Sequence, residues 1–211
     1  MEYNECKNII QDADVLLFRG GKFPGIGWFI AKYSQSPYSH VGLAYWENNE
    51  LYVLEFREFK GARKYKLQEY VDEYPGRIDV FRACLRIEIP KLVTGTDVNQ
   101  KLIPYCSHAI YNFTKSTQKR IVTDALNLIN NHIEYGYRLI WRIAKTYCPL
   151  LRLFQKVPCK DCNGNLYVCS TLVTKTYRKH FLDPVPFLAD EYTKPGDLAR
   201  SSIFRKLFTI G

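Results

Sequence analysis

"SPYSHVGLAYWENNELYVLEFR", residues 36–57, reads as two β-strands joined by a tight turn. β-Branched, aromatic and aliphatic residues flank "ENNE", and Asn48-Asn49 suit the positive φ values that a two-residue hairpin turn requires. With those asparagines as the turn, Glu47 pairs with Glu50, Gly42 faces Glu55, and His40 faces Arg57. His40 and Glu55 then become diagonal neighbours on one face, about 7–8 Å apart at the backbone and within side-chain reach. Gly42, without a side chain, leaves room between them. A slip of one residue would send Glu55 to the opposite face, so the reading depends on this register. A carboxylate beside an imidazole fixes its tautomer and favours its protonated form, which makes a polar pair in an apolar hairpin a candidate acid-base device.

The rest of the composition frames that pair. The chain has 211 residues and is 46% apolar, enough for the core of one domain and against global disorder. Lys and Arg number 30 against 21 Asp and Glu, a net charge of +9 that favours anionic partners, an anionic membrane surface among them. The N-terminal stretch lacks a basic region followed by an apolar core, and no run of about 18 apolar residues is present. A cytoplasmic protein with peripheral membrane contact is the expectation. Seven cysteines without a secretory signal read as mostly reduced thiols rather than a disulfide framework.

Around the hairpin, "DVLLF" (14–18) is a short apolar strand and "GIGWFIAKYSQ" (25–35) a short helix. "KLQEYVDEY" (66–74) is a helix stopped by Pro75, and "RIDVFRACLRIEI" (77–89) a strand or a bent pair. Residues 90–117, with Pro90, Gly95 and Pro104, read as irregular. They divide a β-rich half from a helical half, and 90–160 reads as a helical or irregular insertion within one domain. Ile121, Ala125, Leu128, Ile129 and Ile133 fall at helical spacing. A second amphipathic stretch runs from Leu139 to Phe154, punctuated by Arg138, Arg142, Lys145 and Arg152; it suits packing on its own domain or lying on a membrane. The tail from Phe181 to Phe204 is proline-interrupted and reads as a surface wrap.

The thiol with a chemical setting is Cys169 in "NLYVCSTLVTKTYRKH" (165–180), after a short apolar run and ahead of a helical pattern. A thiol at a helix N-terminus feels the positive end of the dipole, and the terminal N–H groups can hold an oxyanion. Core packing is the ordinary role of a lone cysteine there. Cys159 and Cys162 form a C-x-x-C that could join Cys148, Cys169 or His180 around zinc. A second pair at ordinary zinc-site spacing is missing, so no cofactor is expected. Ser39 adjoins His40, but neighbouring strand residues point to opposite faces and would not cooperate. His108, His132 and His180 read as surface residues.

Taken in order, "DADVLLFRG", "SHVGLAYW", "LYVLEF", "YVCSTLVTKTY" and "KPGDLARSSIF" resemble the circularly permuted NlpC/P60-type, papain-like cysteine hydrolases. The branch is similar to the YiiX/YaeF-type proteins, with lecithin:retinol acyltransferase more distant. "IEYGYRLIW" (133–141) is similar to the family's segment ahead of the cysteine. The resemblance covers roughly 12–60 and 165–205. It implies an α+β, permuted papain-like fold in which an antiparallel sheet packs against helices, with an additional helical segment before the nucleophile helix. It implies Cys169 as nucleophile, His40 as base and Glu55 as the residue orienting it, with Tyr38 lining the substrate site. The expected substrate carries an amide or ester, in a lipid, a small amide or a peptide, and reacts through a thioester. A catalytically silent lipid- or protein-binding module and a basic, zinc-containing nucleic-acid binder stand as alternatives, the latter less expected.

Overall fold

The hairpin forms with Asn48 and Asn49 at its turn, both at positive φ (50° and 62°), and joins strands β2 (Tyr38–Glu47) and β3 (Glu50–Arg57). Its pairing runs from Glu47↔Glu50 to Leu43↔Leu54, the expected register. The computed structural model describes residues 1–20, 31, 35–84, 86–96, 102–131, 136, 167–186 and 188–211. The expected helix at 25–35, apart from residues 31 and 35, lies outside them, as do the amphipathic stretch 139–154 and His132, Cys148, Cys159 and Cys162.

Strand β1 (Val15–Arg19) pairs antiparallel with β2 on one side and β5 (Ile78–Ala83) on the other. With β4 (Gly61–Lys66) beside β3 and β8 (Phe204–Ile210) beside β5, the order is β4-β3-β2-β1-β5-β8. Every pairing in this six-stranded sheet is antiparallel. The β1–β2 register shifts at Phe18/Arg19, where Phe18 opposes His40 and Arg19 opposes Tyr38. Ser39 is therefore the extra residue of a bulge, a device that re-aims side chains at the end of a strand.

Each face of the sheet is covered. Helices α3 (Lys115–Asn130) and α4 (Cys169–Arg178) contribute Ile121, Ala125, Leu172, Val173 and Tyr177 to a core with Leu17, Val41, Leu43, Leu54 and Phe56. On the opposite face, the short α1 (Tyr3–Cys6) and α2 (Leu67–Glu73) cover Leu16, Phe18, Ala44 and Val53. Thr114 caps α3 by accepting from the Thr117 amide at 3.2 Å. The chain is thus an α+β protein built on one antiparallel sheet.

Two expectations change. Residues 90–96 and 102–112 are not irregular: β6 (Arg86–Thr96) and β7 (Leu102–Asn112) pair along their whole length as a separate two-stranded sheet, and the following helix begins at Lys115. Pro90 and Pro104 sit within that ladder, opposite His108 and Thr94. A two-stranded sheet leaves one edge of each strand unpaired, where a missing N–H costs no ladder bond. The C-terminal tail is more than a surface wrap: after a short helix α5 (Pro195–Ala199) it returns as β8, the sixth strand.

Candidate active site

His40 lies at the level where the β2–β3 ladder has ended, three residues past the Leu43↔Leu54 pair. Gly42 is what lets the strands approach here. A Cβ at that position would stand 2.4 Å from Val53 Cγ1, 3.0 Å from the Leu54 carbonyl oxygen and 3.4 Å from Glu55 Cβ.

Glu55 is fully buried, and its two oxygens are both engaged. Oε2 lies 2.5 Å from His40 Nε2 and accepts from the Tyr70 hydroxyl at 3.3 Å; Oε1 accepts from Arg63 Nε at 2.6 Å. Burial would raise the Glu55 pKa, but the His40 imidazolium and the Arg63 and Arg57 guanidiniums outweigh it and hold the carboxyl below its usual range. Arg63 stacks over Tyr65 at 4.3 Å, and Arg57 over Tyr70 at 5.0 Å, so aromatic faces fix both cations. Phe18 packs on the other side, its ring centroid 5.2 Å from that of His40.

Cys169 is the first residue of α4; the residue is 5% exposed and belongs to the core on the opposite face of the sheet. Its helix packs against β2, the strand that carries His40, and the Cys169 side chain contributes to raising the His40 pKa. The arrangement therefore straddles the sheet end: Glu55, Tyr70 and the imidazole belong to the α2 side, and Cys169 to the α4 side. Because Nε2 is engaged by Glu55, Nδ1 is the ring nitrogen left for the thiol. Burial alone would lower the His40 pKa; the Glu55 carboxylate and the Cys169 side chain reverse that and raise it to about 9.

At the head of α4, the Thr171 and Leu172 amides donate to the Val168 carbonyl at 3.0 and 3.4 Å, and Thr171 Oγ1 accepts from the Val168 amide at 3.1 Å. The Cys169 and Ser170 amides have no partner among the described residues. First-turn amides of this kind are available to an anion. Tyr167 stacks on Phe56 at 5.2 Å, its carbonyl accepting from the Gly136 amide at 2.7 Å, which fixes the approach to the helix.

The bulge at Ser39 sets Tyr38 apart from His40. The Tyr38 ring is 7% exposed and edge-on to Phe81, and its hydroxyl donates to the buried Asp79 at 2.5 Å. Asp79 also accepts from Arg19, Thr209 and Lys206, so Tyr38 belongs to a packed polar network. His180 is paired with Asp124 at 2.8 Å beside Lys179. The sequence reading did not single out Arg63 or Tyr70, which complete the Glu55 environment.

No family model and no curated protein matches this sequence. Among solved structures, the chain is similar to the metalloprotein YiiX of Escherichia coli O157:H7 (DUF1105), with a TM-score of 0.57 over 94% of this chain and 97% of that one, at 11% identity. What the two share is the fold. No described helix is long and apolar enough to cross a membrane.

Proposed function

We propose that this chain is a cysteine-dependent hydrolase or acyltransferase of permuted papain-like, NlpC/P60-type architecture, distantly related to lecithin:retinol acyltransferase. The observation that carries this reading is the position of His40, bound to a buried carboxylate on a strand packed against the helix that Cys169 heads. Cys169 Sγ attacks the carbonyl carbon of an amide or ester while His40 takes the thiol proton. The oxygen's developing charge is met by the Cys169 amide. His40 then protonates the leaving amine or alcohol, the C–N or C–O bond breaks, and a thioester remains. Water, or another acceptor, enters with His40 as base and releases the acyl group. Glu55 holds the imidazole and balances its charge throughout.

YiiX is a metalloprotein; in this chain the His40–Glu55 pair does not suit a metal. His40 Nε2 is engaged by Glu55, and the remaining Glu55 oxygen is engaged by Arg63, whose cation would repel an incoming one. No cluster of three His, Cys, Asp or Glu side chains with metal-binding geometry occurs among the described residues.

The test is labelling with an electrophilic acyl-type, thiol-directed probe, followed by peptide mapping. The parent should label at Cys169, and His40→Ala should label far more slowly. Equal labelling of the parent and Cys169→Ala, with the adduct elsewhere, would reject the nucleophile and favour a silent binding module. Lipid and peptide profiling of parent against Cys169→Ala then separates the substrate classes.

A further inference from the structure

The end of the sheet away from His40 carries a cavity of about 420 Å³ that the proposed chemistry does not use. It opens where β5 ends, beyond the Val15↔Phe81 pair, whereas His40 sits opposite Phe18 at the other end of β1. Gln11, Arg82, Ala83, Cys84, Arg205 and Leu207 line it.

Arg82 and Arg205 stand directly opposite each other across the β5–β8 ladder. Like charges in that position destabilise a strand pair unless something neutralises them. Arg82 is neutralised: Nε and Nη2 donate to Asp14 at 2.8 and 2.7 Å, and Nη2 also donates to the Ile9 carbonyl at 2.6 Å. The Arg205 guanidinium forms no hydrogen bond or ion pair with any residue whose side chain is described. Two guanidiniums against the single Asp14 carboxylate leave the wall with one excess positive charge. Its neighbour Lys206 does not offset this, being committed to Asp79 at 2.9 Å.

The polar lining continues in the same sense. Gln11 Oε1 accepts from Gln118 Nε2 at 3.2 Å, which leaves Gln11 Nε2 as a donor. Arg82 keeps Nη1 beyond its bonds to Asp14 and Ile9. These three donors line the cavity together with Ala83, Leu207 and the free thiol residue Cys84, which offer apolar surface. The volume falls within the range of small-molecule sites, and a mainly apolar lining with a few convergent donors is their usual chemistry.

We infer that this cavity binds a small amphiphilic anion, a carboxylate or phosphate head on Arg205, Arg82 Nη1 and Gln11 Nε2 with a short apolar body against Ala83, Cys84 and Leu207. The inference is independent of the Cys169 chemistry.

Cys84 serves as the reporter. The parent is treated with iodoacetamide, and alkylation of the Cys84 peptide is followed by mass spectrometry in the presence of hexanoate, hexyl phosphate, inorganic phosphate or hexylammonium; Tm is read in parallel. One or both amphiphilic anions should slow Cys84 alkylation several-fold and raise Tm, and which one does so identifies the head. Inorganic phosphate should act more weakly, and hexylammonium should have no effect. In Arg205→Gln both effects should vanish, while probe labelling of Cys169 stays at the parent level. Protection that persists in Arg205→Gln, equal effects from hexylammonium or from inorganic phosphate, or no effect of either amphiphile on alkylation and Tm would overturn the inference.

Discussion

His40 Nε2 and Glu55 Oε2 stand 2.5 Å apart at the end of the β2–β3 ladder, and Glu55 has no contact with solvent. A buried carboxylate in that position has two consequences for the imidazole: it orients the ring, and it stabilises the charge that proton uptake creates. Glu55→Gln keeps the shape and removes the charge. We expect the His40 pKa to fall from about 9 toward its ordinary value, and Cys169 probe labelling to slow by at least ~10-fold, since a positioned base contributes ~10²–10⁴. The pH profile of labelling checks both, and a profile identical to that of the parent would show that Glu55 does not tune His40.

The same pair makes stability depend on pH. His40 has a folded pKa raised to about 9, against roughly 6.5 in an unfolded chain, so the folded state binds its proton more tightly. Its stabilising contribution is fully present below pH of about 6.5 and is lost as pH rises through about 9. With a nearly buried imidazole the effect is at most about 3 kcal/mol. Denaturant unfolding at the two ends of this window should show the parent weakening toward alkaline pH, with a smaller change in His40→Gln.

Arg63 reaches Glu55 Oε1 from β4 at 2.6 Å and is itself mostly buried. Removing one member of such a pair leaves an uncompensated buried charge, which costs about 3–5 kcal/mol where no other partner remains. Because His40 still faces Glu55, Arg63→Met should fall at or below the low end, about 2–3 kcal/mol. Arg63→Lys should recover part of it, as a point charge without the planar contact on Tyr65. Denaturant midpoints of the three proteins decide this.

How much of this site could be read from the sequence depends on where each residue sits. Asn48 and Asn49 set the hairpin turn, and the period-two geometry of strands then placed His40 and Glu55 on one face. Cys169 was legible because a helical pattern starts at it. Arg63 was not, because "GARKYK" is a charged edge strand without apolar alternation and its turn gives weak signals, with Phe59 and Gly61 at positive φ; Tyr70 lies on a helix that was legible, but its contact with Glu55 depends on how that helix packs on the sheet. Lys and Arg on outer strands are how sheets protect their edges from pairing, and the same feature concealed β8, where "FRKLFTI" forms the other edge. The Ser39 bulge was also invisible in pattern, and it is what separates Tyr38 from His40.

Gly42 offers the sharpest test of how the strands hold the pair. An added Cβ would meet Val53 Cγ1 at 2.4 Å and the Leu54 carbonyl at 3.0 Å, distances that force movement of a stiff β-branched side chain and of backbone. Overpacking of this kind costs about 1–3 kcal/mol. In Gly42→Ala the displaced backbone is that of β3 immediately before Glu55, so the His40–Glu55 contact should loosen along with the fold. We expect a lower denaturant midpoint together with a Cys169 labelling profile shifted toward that of Glu55→Gln. A drop in stability with an unchanged profile would mean that the strand end adapts without moving Glu55, and that the glycine serves packing alone.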